Sequence, residues 1–169
     1  MSDPYPSSSG GTAVAAPPLT TGADGDYYLP AGLPQPAPSP EGLGAEFWDG
    51  VRRHELLVQY CKACGVCQFG PEYICNECLS WDLGYKPVSG RGRIYSWERA
   101  WYPVHPALKD ALPYITVLVE LPDANNVRMV GNLLGDRHQD VVIGSEVEAV
   151  FEDHNDAKSP YTLVQWRVV

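Results

Sequence analysis

Four of the five cysteines in this chain stand in two pairs of identical spacing, and they constrain the fold more than any other feature. Cys61 and Cys64 form the first pair, and Cys75 and Cys78 form the second, with ten residues between the pairs. Two such pairs can place four thiolates around one tetrahedral ion, and Zn²⁺ prefers sulfur ligands. We therefore predict one zinc site made by these four side chains, in preference to buried or disulfide-bonded cysteine pairs.

The fifth cysteine, Cys67, also stands at C-x-x-C spacing from Cys64, which leaves a second register open. A site that used Cys67 in place of Cys61 would shorten the loop between the pairs to seven residues. Cys61 is preferred because it directly follows an apolar run, residues 56–60, that reads as the strand entering the ribbon. Cys67 is then spare, and Cys67→Ser is expected to be nearly silent.

A shell of four cysteines predicts a structural role for the ion. A catalytic zinc has three protein ligands and keeps one position for water, whereas four thiolates leave no open position. The ion then stabilises a segment too short to bury a core of its own. An iron-binding, rubredoxin-like electron carrier would use the same ligands, but the strands predicted downstream exceed what so small a carrier needs.

The charge and composition exclude several classes of function. The chain has 12 basic and 21 acidic residues and a net charge of −9, which disfavours a nonspecific nucleic-acid binder. No apolar run approaches the roughly 20 residues that span a bilayer, and the N-terminus has no signal-peptide pattern. We expect a cytoplasmic protein without a membrane partner, in a compartment where cysteines stay reduced and bind zinc.

The chain divides into three parts: a Pro/Gly-rich flexible arm over 1–38, a helix and rubredoxin-like zinc ribbon over 39–84, and an OB-fold domain over 85–169. The arm has no hydrophobic periodicity, so it cannot bury enough apolar surface to fold alone. Tyr27 and Tyr28 interrupt it with an aromatic island. We expect this island to lie along a surface, either of its own chain or of a partner.

A short helix is predicted to begin at Ser39, which reads as an N-cap followed by a proline and an acidic residue. Apolar residues then recur at helical spacing at Leu43, Phe47 and Val51. Phe47 belongs to the buried face of this helix. Trp48 lies further round the helix and is a candidate for contact with a partner.

The last part of the sequence reads as five β-strands, which makes the fold mainly β. Five antiparallel strands joined by short turns suit a small closed barrel of the OB type. The connection 101–113 falls between the first two strands, where OB barrels carry a contact loop. Trp97 lies within the first strand and is expected to fill the core or cap of the barrel. The predicted strands are Arg93–Glu98, Tyr114–Leu121, Val127–Leu134, Glu146–Phe151 and Tyr161–Val168.

Over residues 40–169 the sequence resembles the DUF35 family, which couples a rubredoxin-like zinc ribbon to an OB-fold domain. The motifs that carry the resemblance follow in order: the helix 46–50, the two cysteine pairs, the turn 89–92, the strand 131–133 and the segment 150–153. The resemblance implies a non-catalytic accessory subunit that binds a thiolase-like protein. Such complexes cleave or form C–C bonds of acyl-CoA thioesters, as in thiolase or retro-aldol steps of aromatic or steroid catabolism.

The sequence agrees with an accessory role because it contains no recognisable catalytic motif. Its four histidines are scattered, and none stands in a metalloprotease or nucleophile-elbow pattern. The chemistry is therefore expected in the partner, with acyl-CoA bound at the shared complex. The residues predicted to contact a partner or ligand are Tyr27, Tyr28, Trp48, Trp101, Tyr102 and His105.

Two other functions stay open on the sequence alone. An OB barrel can bind acyl-CoA or single-stranded nucleic acid by itself, using aromatic side chains and a basic groove. The aromatic residues are present, but a basic groove is hard to build from so few Lys and Arg. The second alternative is an enzyme that acts on CoA esters alone, which an assay of the isolated chain would reveal.

Overall fold

The computed structural model describes residues 28–30 and 32–169, and Tyr27 lies outside them. Within these residues the chain forms one α-helix and eight β-strands, and the strands form two sheets of three and five strands packed against each other. The elements are α1 Ala45–Arg52, β1 Leu57–Cys61, β2 Cys67–Gln68, β3 Leu83–Pro87, β4 Arg91–Ala100, β5 Tyr114–Leu121, β6 Val127–Asn132, β7 Glu146–His154 and β8 Tyr161–Val168.

The first sheet is the ribbon that holds the cysteines. Its order is β2-β1-β3, and both pairings are antiparallel. β3 pairs with β1 along its whole length, from Leu83 opposite Cys61 to Pro87 opposite Leu57. The predicted boundary after residue 84 falls inside β3. The ribbon therefore extends to Pro87, because its third strand is needed to complete the sheet.

The second sheet is a five-stranded antiparallel barrel with the order β6-β5-β4-β7-β8. The two end strands meet through a parallel bridge between Leu133 and Trp166, and the Leu134 N–H donates to the Trp166 carbonyl at 2.7 Å. This bridge nearly closes the barrel and leaves few free strand edges. The mainly β architecture and the OB-type barrel predicted from the sequence are confirmed.

Strict alternation in β5 gives the barrel one of its inner faces. Its side chains are buried at every second position, Ile115, Val117, Val119 and Leu121, and the residues between them are partly exposed. Period-2 burial is typical of a strand with one face on the core. Trp166 of β8 is fully buried and packs in the same hydrophobic cluster.

Two glycines of the family motifs allow close packing inside the barrel. A Cβ atom on Gly92 would lie 2.6 Å from the Glu120 carbonyl oxygen, and one on Gly131 would lie 2.7 Å from Cδ1 of Trp166. Real side chains do not tolerate such distances. Only glycine therefore lets β4 approach β5, and β6 approach Trp166, at this separation.

A β-bulge in β4 shifts the alternation of the side chains that follow it, including Trp97. Ile94 pairs with Val119 and Ser96 pairs with Leu118, so Tyr95 is the extra residue. After the bulge Trp97 lies opposite the buried Val117, but its side chain is still 36% exposed. Trp97 is therefore not buried in the core of the barrel, although it lies on the inner face of β4. β4 pairs with β7 only over Arg91–Arg93, so Trp97 stands at an uncovered end of the barrel.

The ribbon and the barrel share one hydrophobic core. Val51 of α1, Val58 of β1 and Cys67 of β2 belong to the same buried cluster as the barrel residues. The turn between β5 and β6 also ties the two sheets together, because Asn125 Oδ1 accepts from the Cys67 N–H at 3.0 Å. In the same turn the Asp123 carboxylate accepts from the Ser89 N–H at 2.7 Å.

The helix begins later than predicted. Its N-cap is Gly44, and Ser39 instead uses its hydroxyl to accept from the Glu41 N–H at 3.3 Å. That local turn satisfies Ser39 outside the helix, and two glycines at 42 and 44 disfavour helix over the residues between. Among the described residues, no helix has both the length and the apolar composition needed to cross a membrane.

Candidate metal centre and docking surface

The four predicted cysteines converge at one point of the ribbon. The sulfur atoms of Cys61, Cys64, Cys75 and Cys78 all lie within 4.8 Å of one another. The Cys61–Cys78 and Cys64–Cys75 sulfur pairs are 3.6 and 3.7 Å apart. Ligands about 2.3 Å from a tetrahedral zinc are separated by about 3.8 Å. The arrangement therefore fits a tetrahedral metal site without rearrangement.

Tight turns in the backbone place these sulfurs. In the first turn the Gly65 N–H donates to the Cys61 carbonyl at 2.8 Å, and Gly65 has φ +79°. In the second turn Leu79 takes the equivalent position, with φ 61° and a bond to the Cys75 carbonyl. The Glu77 N–H also lies 3.4 Å from the Cys75 sulfur, where it favours the thiolate.

The ionisation of the cluster explains why it needs a cation. Burial raises the pKa of the Cys61 thiol, but the Cys64 and Ala63 N–H groups and the neighbouring thiols lower it to about 7. The Val66 N–H lowers the pKa of Cys64, yet burial and hydrogen bonding to the other sulfurs raise it to about 12. Four thiolates so close together repel one another, so all four ionise together only around a bound cation.

Cys67 stands apart from this cluster. Its side chain is buried in the core shared by the ribbon and the barrel and is not among the four clustered sulfurs. The alternative register that uses Cys67 therefore does not match the geometry. The expectation that Cys67→Ser is nearly silent needs correction, because a hydroxyl would enter an apolar core without a ready partner.

Two of the residues predicted to contact a partner are displayed on the loop between β4 and β5. Trp101 is 63% exposed and Tyr102 is 78% exposed, and Val104 beside them is exposed as well. His105 is half-buried, and its Nδ1 accepts from the Ala107 N–H at 3.2 Å, which caps the short turn Pro106–Leu108. His105 therefore shapes the loop that presents the two aromatic side chains.

Two other predicted contacts, Tyr28 and Trp48, are used within the chain itself. Tyr28 is only 3% exposed, and its hydroxyl accepts from the Ile115 N–H at 3.4 Å. Of the two surfaces expected for the aromatic island, Tyr28 therefore lies on that of its own chain. Trp48 is half-buried against the core and meets Phe47 edge to face, with ring centroids 5.5 Å apart.

A buried polar cluster under the arm has no counterpart in the predictions. The Glu152 carboxylate lies 3.0 Å from His154 Nε2 and 2.6 Å from Gln165 Nε2, and it accepts from the Tyr28 N–H at 3.3 Å. Gln165 Oε1 accepts from the Asn132 N–H, across the narrow seam between β6 and β8. The predicted strand Glu146–Phe151 ends before Glu152, and contact with the arm contributes to the burial of this cluster.

Comparisons with known protein families agree with both parts of the fold. Residues 48–83 match the family model described as ChsH2, rubredoxin-like zinc ribbon domain. Residues 85–152 match the one described as ChsH2, C-terminal OB-fold domain. The first match covers all four clustered cysteines, and a metal-binding ribbon is the shared feature. The two matches follow each other along the chain in the order of the two sheets.

Several curated proteins are similar to the chain. It is 32% identical over 113 residues to a probable enoyl-CoA hydratase alpha subunit of Thermomonospora curvata and covers 34% of its length. It is 33% identical to the 3-oxo-4,17-pregnadiene-20-carboxyl-CoA hydratase alpha subunit of Mycobacterium tuberculosis and covers 45% of its length. The chain thus spans less than half of either subunit. It is also 37% identical over 76 residues to the benzoylsuccinyl-CoA thiolase subunit BbsA of Geobacter metallireducens, and covers 48% of it.

This chain covers most of the length of one solved structure and of one further relative. A chain of the Ltp2-ChsH2(DUF35) aldolase superposes with a TM-score of 0.65 at 29% identity, over 78% of this chain and 98% of that one. A DUF35 domain-containing scaffold protein of Methanocaldococcus jannaschii is 32% identical over 123 residues, which are 68% of this chain and 83% of that protein. With its cysteine ribbon joined to an OB-type barrel, this chain belongs to the DUF35 family.

Proposed function

We propose that this chain is a non-catalytic accessory subunit that binds a thiolase-like protein acting on acyl-CoA thioesters. One structural Zn²⁺ per chain, bound by Cys61, Cys64, Cys75 and Cys78, stabilises the ribbon. The observation that carries the proposal is the closed cluster of four sulfurs, which offers a metal no open coordination position. Relatives named as subunits of a hydratase, a thiolase and an aldolase support the acyl-CoA context.

The environment of the histidines supports the assignment of chemistry to the partner. His54 pairs with Asp153 at 2.9 Å, His105 caps its turn and His154 contacts Glu152. His138 lies against Trp101. In the described part of the chain none of these contacts joins a histidine to a serine or cysteine nucleophile, which supports placing the activated pair that acyl transfer requires in the partner.

The docking surface proposed for the partner is the loop 101–105, with Trp101 and Tyr102 as its main contacts. Interface energy concentrates in a few Trp, Tyr and Arg side chains that become buried on binding. The exposed rings of this loop have that character, whereas Trp48 and Tyr28 contribute to the core instead. The three-part division of the chain is kept in this proposal, with the boundary between ribbon and barrel after Pro87.

The test is copurification from the native host, followed by size-exclusion chromatography with the thiolase-like protein that accompanies the chain. Trp101→Ala should weaken the complex at least about tenfold, because a central aromatic contact is lost. Trp81→Ala is the matched control, since Trp81 is 75% exposed on the ribbon, away from the loop. Absence of a thiolase-like protein from the purified material would contradict the proposed function, and unchanged binding by Trp101→Ala would contradict the surface.

A further inference from the structure

The second half of β4 carries two side chains into the open end of the barrel. Trp97 pairs with Val117 and Arg99 pairs with Ile115, and both partners are buried on the inner face of β5. Residues directly opposite each other on antiparallel strands share a face of the sheet. Trp97 and Arg99 therefore point to the inner side of the barrel, at an end that β7 does not cover.

Arg99 differs from the other arginines of its strand. Arg91 and Arg93 extend to the carboxylates of Glu148 and Glu146 on β7. Arg99 instead lies 5.4 Å from the Trp97 ring centroid and donates to the Gln139 carbonyl. Within the described residues it forms no ion pair, and its Nε is buried without a hydrogen-bond partner.

Such a group is costly unless something binds to it. A buried donor without an acceptor destabilises a fold, and a partly buried cation without a counter-charge adds to that cost. The surrounding structure nevertheless holds the guanidinium in place. Gln139 Nε2 donates to the Leu134 carbonyl at 3.1 Å, and this fixes the segment whose carbonyl receives Arg99.

One tryptophan lies against the guanidinium, and a second packs on the residue next to Gln139, whose carbonyl receives Arg99. Trp97 lies beneath the guanidinium, and Trp101 packs on His138 with ring centroids 5.7 Å apart. Both tryptophans are accessible to solvent. A fixed cation bordered by accessible rings can bind an anionic group and cover the apolar or ring part of the same molecule.

We infer that Arg99, with Trp97 and Trp101, forms an anion-binding site at the open end of the barrel. Its ligand is a small organic anion whose phosphate or carboxylate pairs with the Arg99 guanidinium and whose apolar or ring portion lies on the tryptophans. CoA esters carry phosphates next to a purine ring, so the site deepens the proposed function if CoA is that ligand. The anion site itself does not depend on a protein partner.

The test uses the purified, zinc-loaded full chain and its tryptophan fluorescence. CoA, inorganic phosphate and succinate are titrated separately, because they present a phosphate with a purine, a phosphate alone and a carboxylate. At least one of them should quench the fluorescence in a saturable way. Quenching by CoA at lower concentration than by phosphate assigns a phosphorylated nucleotide, and preference for succinate assigns a carboxylate.

Substitutions test whether the fluorescence quenching depends on Arg99. Arg99→Met should lower the affinity about 10- to 100-fold, which corresponds to the loss of a charge-assisted hydrogen bond. Arg91→Met is the matched control, because it removes the same charge from the same strand and should leave the titration unchanged. Trp97→Phe should reduce the amplitude of the quenching. Arg99→Lys, which keeps the charge but loses the forked geometry, should bind with intermediate affinity.

Two results would overturn the inference. One is the absence of saturable quenching by all three anions at millimolar concentrations. The other is an unchanged titration in Arg99→Met or, if that variant does not fold by circular dichroism, an unchanged titration in Arg99→Lys. Neither result bears on copurification with a thiolase-like protein, so this site and the proposed function fail independently.

Discussion

Replacing Tyr28 should destabilise the barrel, although this residue belongs to a Pro-rich arm. Its ring is 3% exposed and its hydroxyl accepts from the buried Ile115 N–H. Truncating a buried aromatic side chain to alanine costs about 3–5 kcal/mol. For a domain of this size each kcal/mol lowers the melting temperature by about 2–4 °C, so Tyr28→Ala should melt roughly 10 °C lower. Tyr28→Phe loses only the acceptor and should cost about 1 kcal/mol.

Thermal unfolding of the zinc-loaded chain, followed by circular dichroism, measures both effects. Tyr102→Ala is the control, because it removes the same side chain from a position that is 78% exposed. Its melting temperature should stay close to that of the unchanged chain, since substitutions at exposed positions usually alter stability by less than about 0.5 kcal/mol. Equal melting temperatures for Tyr28→Ala and Tyr102→Ala would refute the docking of the arm.

Three further predictions follow from the metal centre, the buried tyrosines and the barrel packing. Metal analysis should find one zinc per chain, lost in Cys61→Ser and retained in Cys67→Ala; iron, or full zinc in Cys61→Ser, would contradict the assignment. Burial raises the pKa values of Tyr28 and Tyr161, so the unfolded chain ionises them first. Stability should therefore fall as pH rises above about 10, and less steeply in Tyr28→Phe; a melting temperature independent of pH there would contradict this. Gly131→Ala should destabilise the barrel by at least about 1 kcal/mol in urea unfolding, because its Cβ would lie 2.7 Å from Trp166, and an unchanged midpoint would refute this packing.

Strong local patterns made much of the fold predictable from the sequence. β5 and β8 begin and end where the sequence predicts, because alternation in Tyr114–Leu121 and β-branched and aromatic residues in Tyr161–Val168 agree with the pleat. The convergence of the cysteines was also predictable. Their paired spacing is a direct consequence of the turns that place two sulfurs on one ion.

Features that depend on tertiary contacts were not predictable in this way. The bulge at Tyr95 changes the alternation of β4 and leaves Trp97 at an open end, and no local signal marks it. Glu152 and His154 lie beyond the predicted strand Glu146–Phe151, and contact with the arm helps to bury them. Arg99 differs from Arg91 and Arg93 in lying on the inner face of β4 and in having no facing carboxylate, which depends on where β7 begins.

Tertiary packing also decides which of the predicted contact residues are exposed. Trp101 and Tyr102 lie in a loop between two strands, where neither sheet can cover them. Trp48 lies on a helix that packs on the core, and its neighbour Phe47 forms part of that packing. Sequence alone identifies large apolar side chains, whereas the packing of the elements decides which of them remain available to a partner.

The most direct test of the central claim is the turnover of acyl-CoA thioesters by the purified, zinc-loaded chain, measured alone and with the thiolase-like protein that copurifies with it. The account predicts no thiolytic, aldol or hydrolytic turnover by the isolated chain, because the described residues place no activated nucleophile beside a base. It predicts turnover when both proteins are present. A robust rate from the isolated chain, abolished by substitution of one of its own residues, would contradict the accessory role.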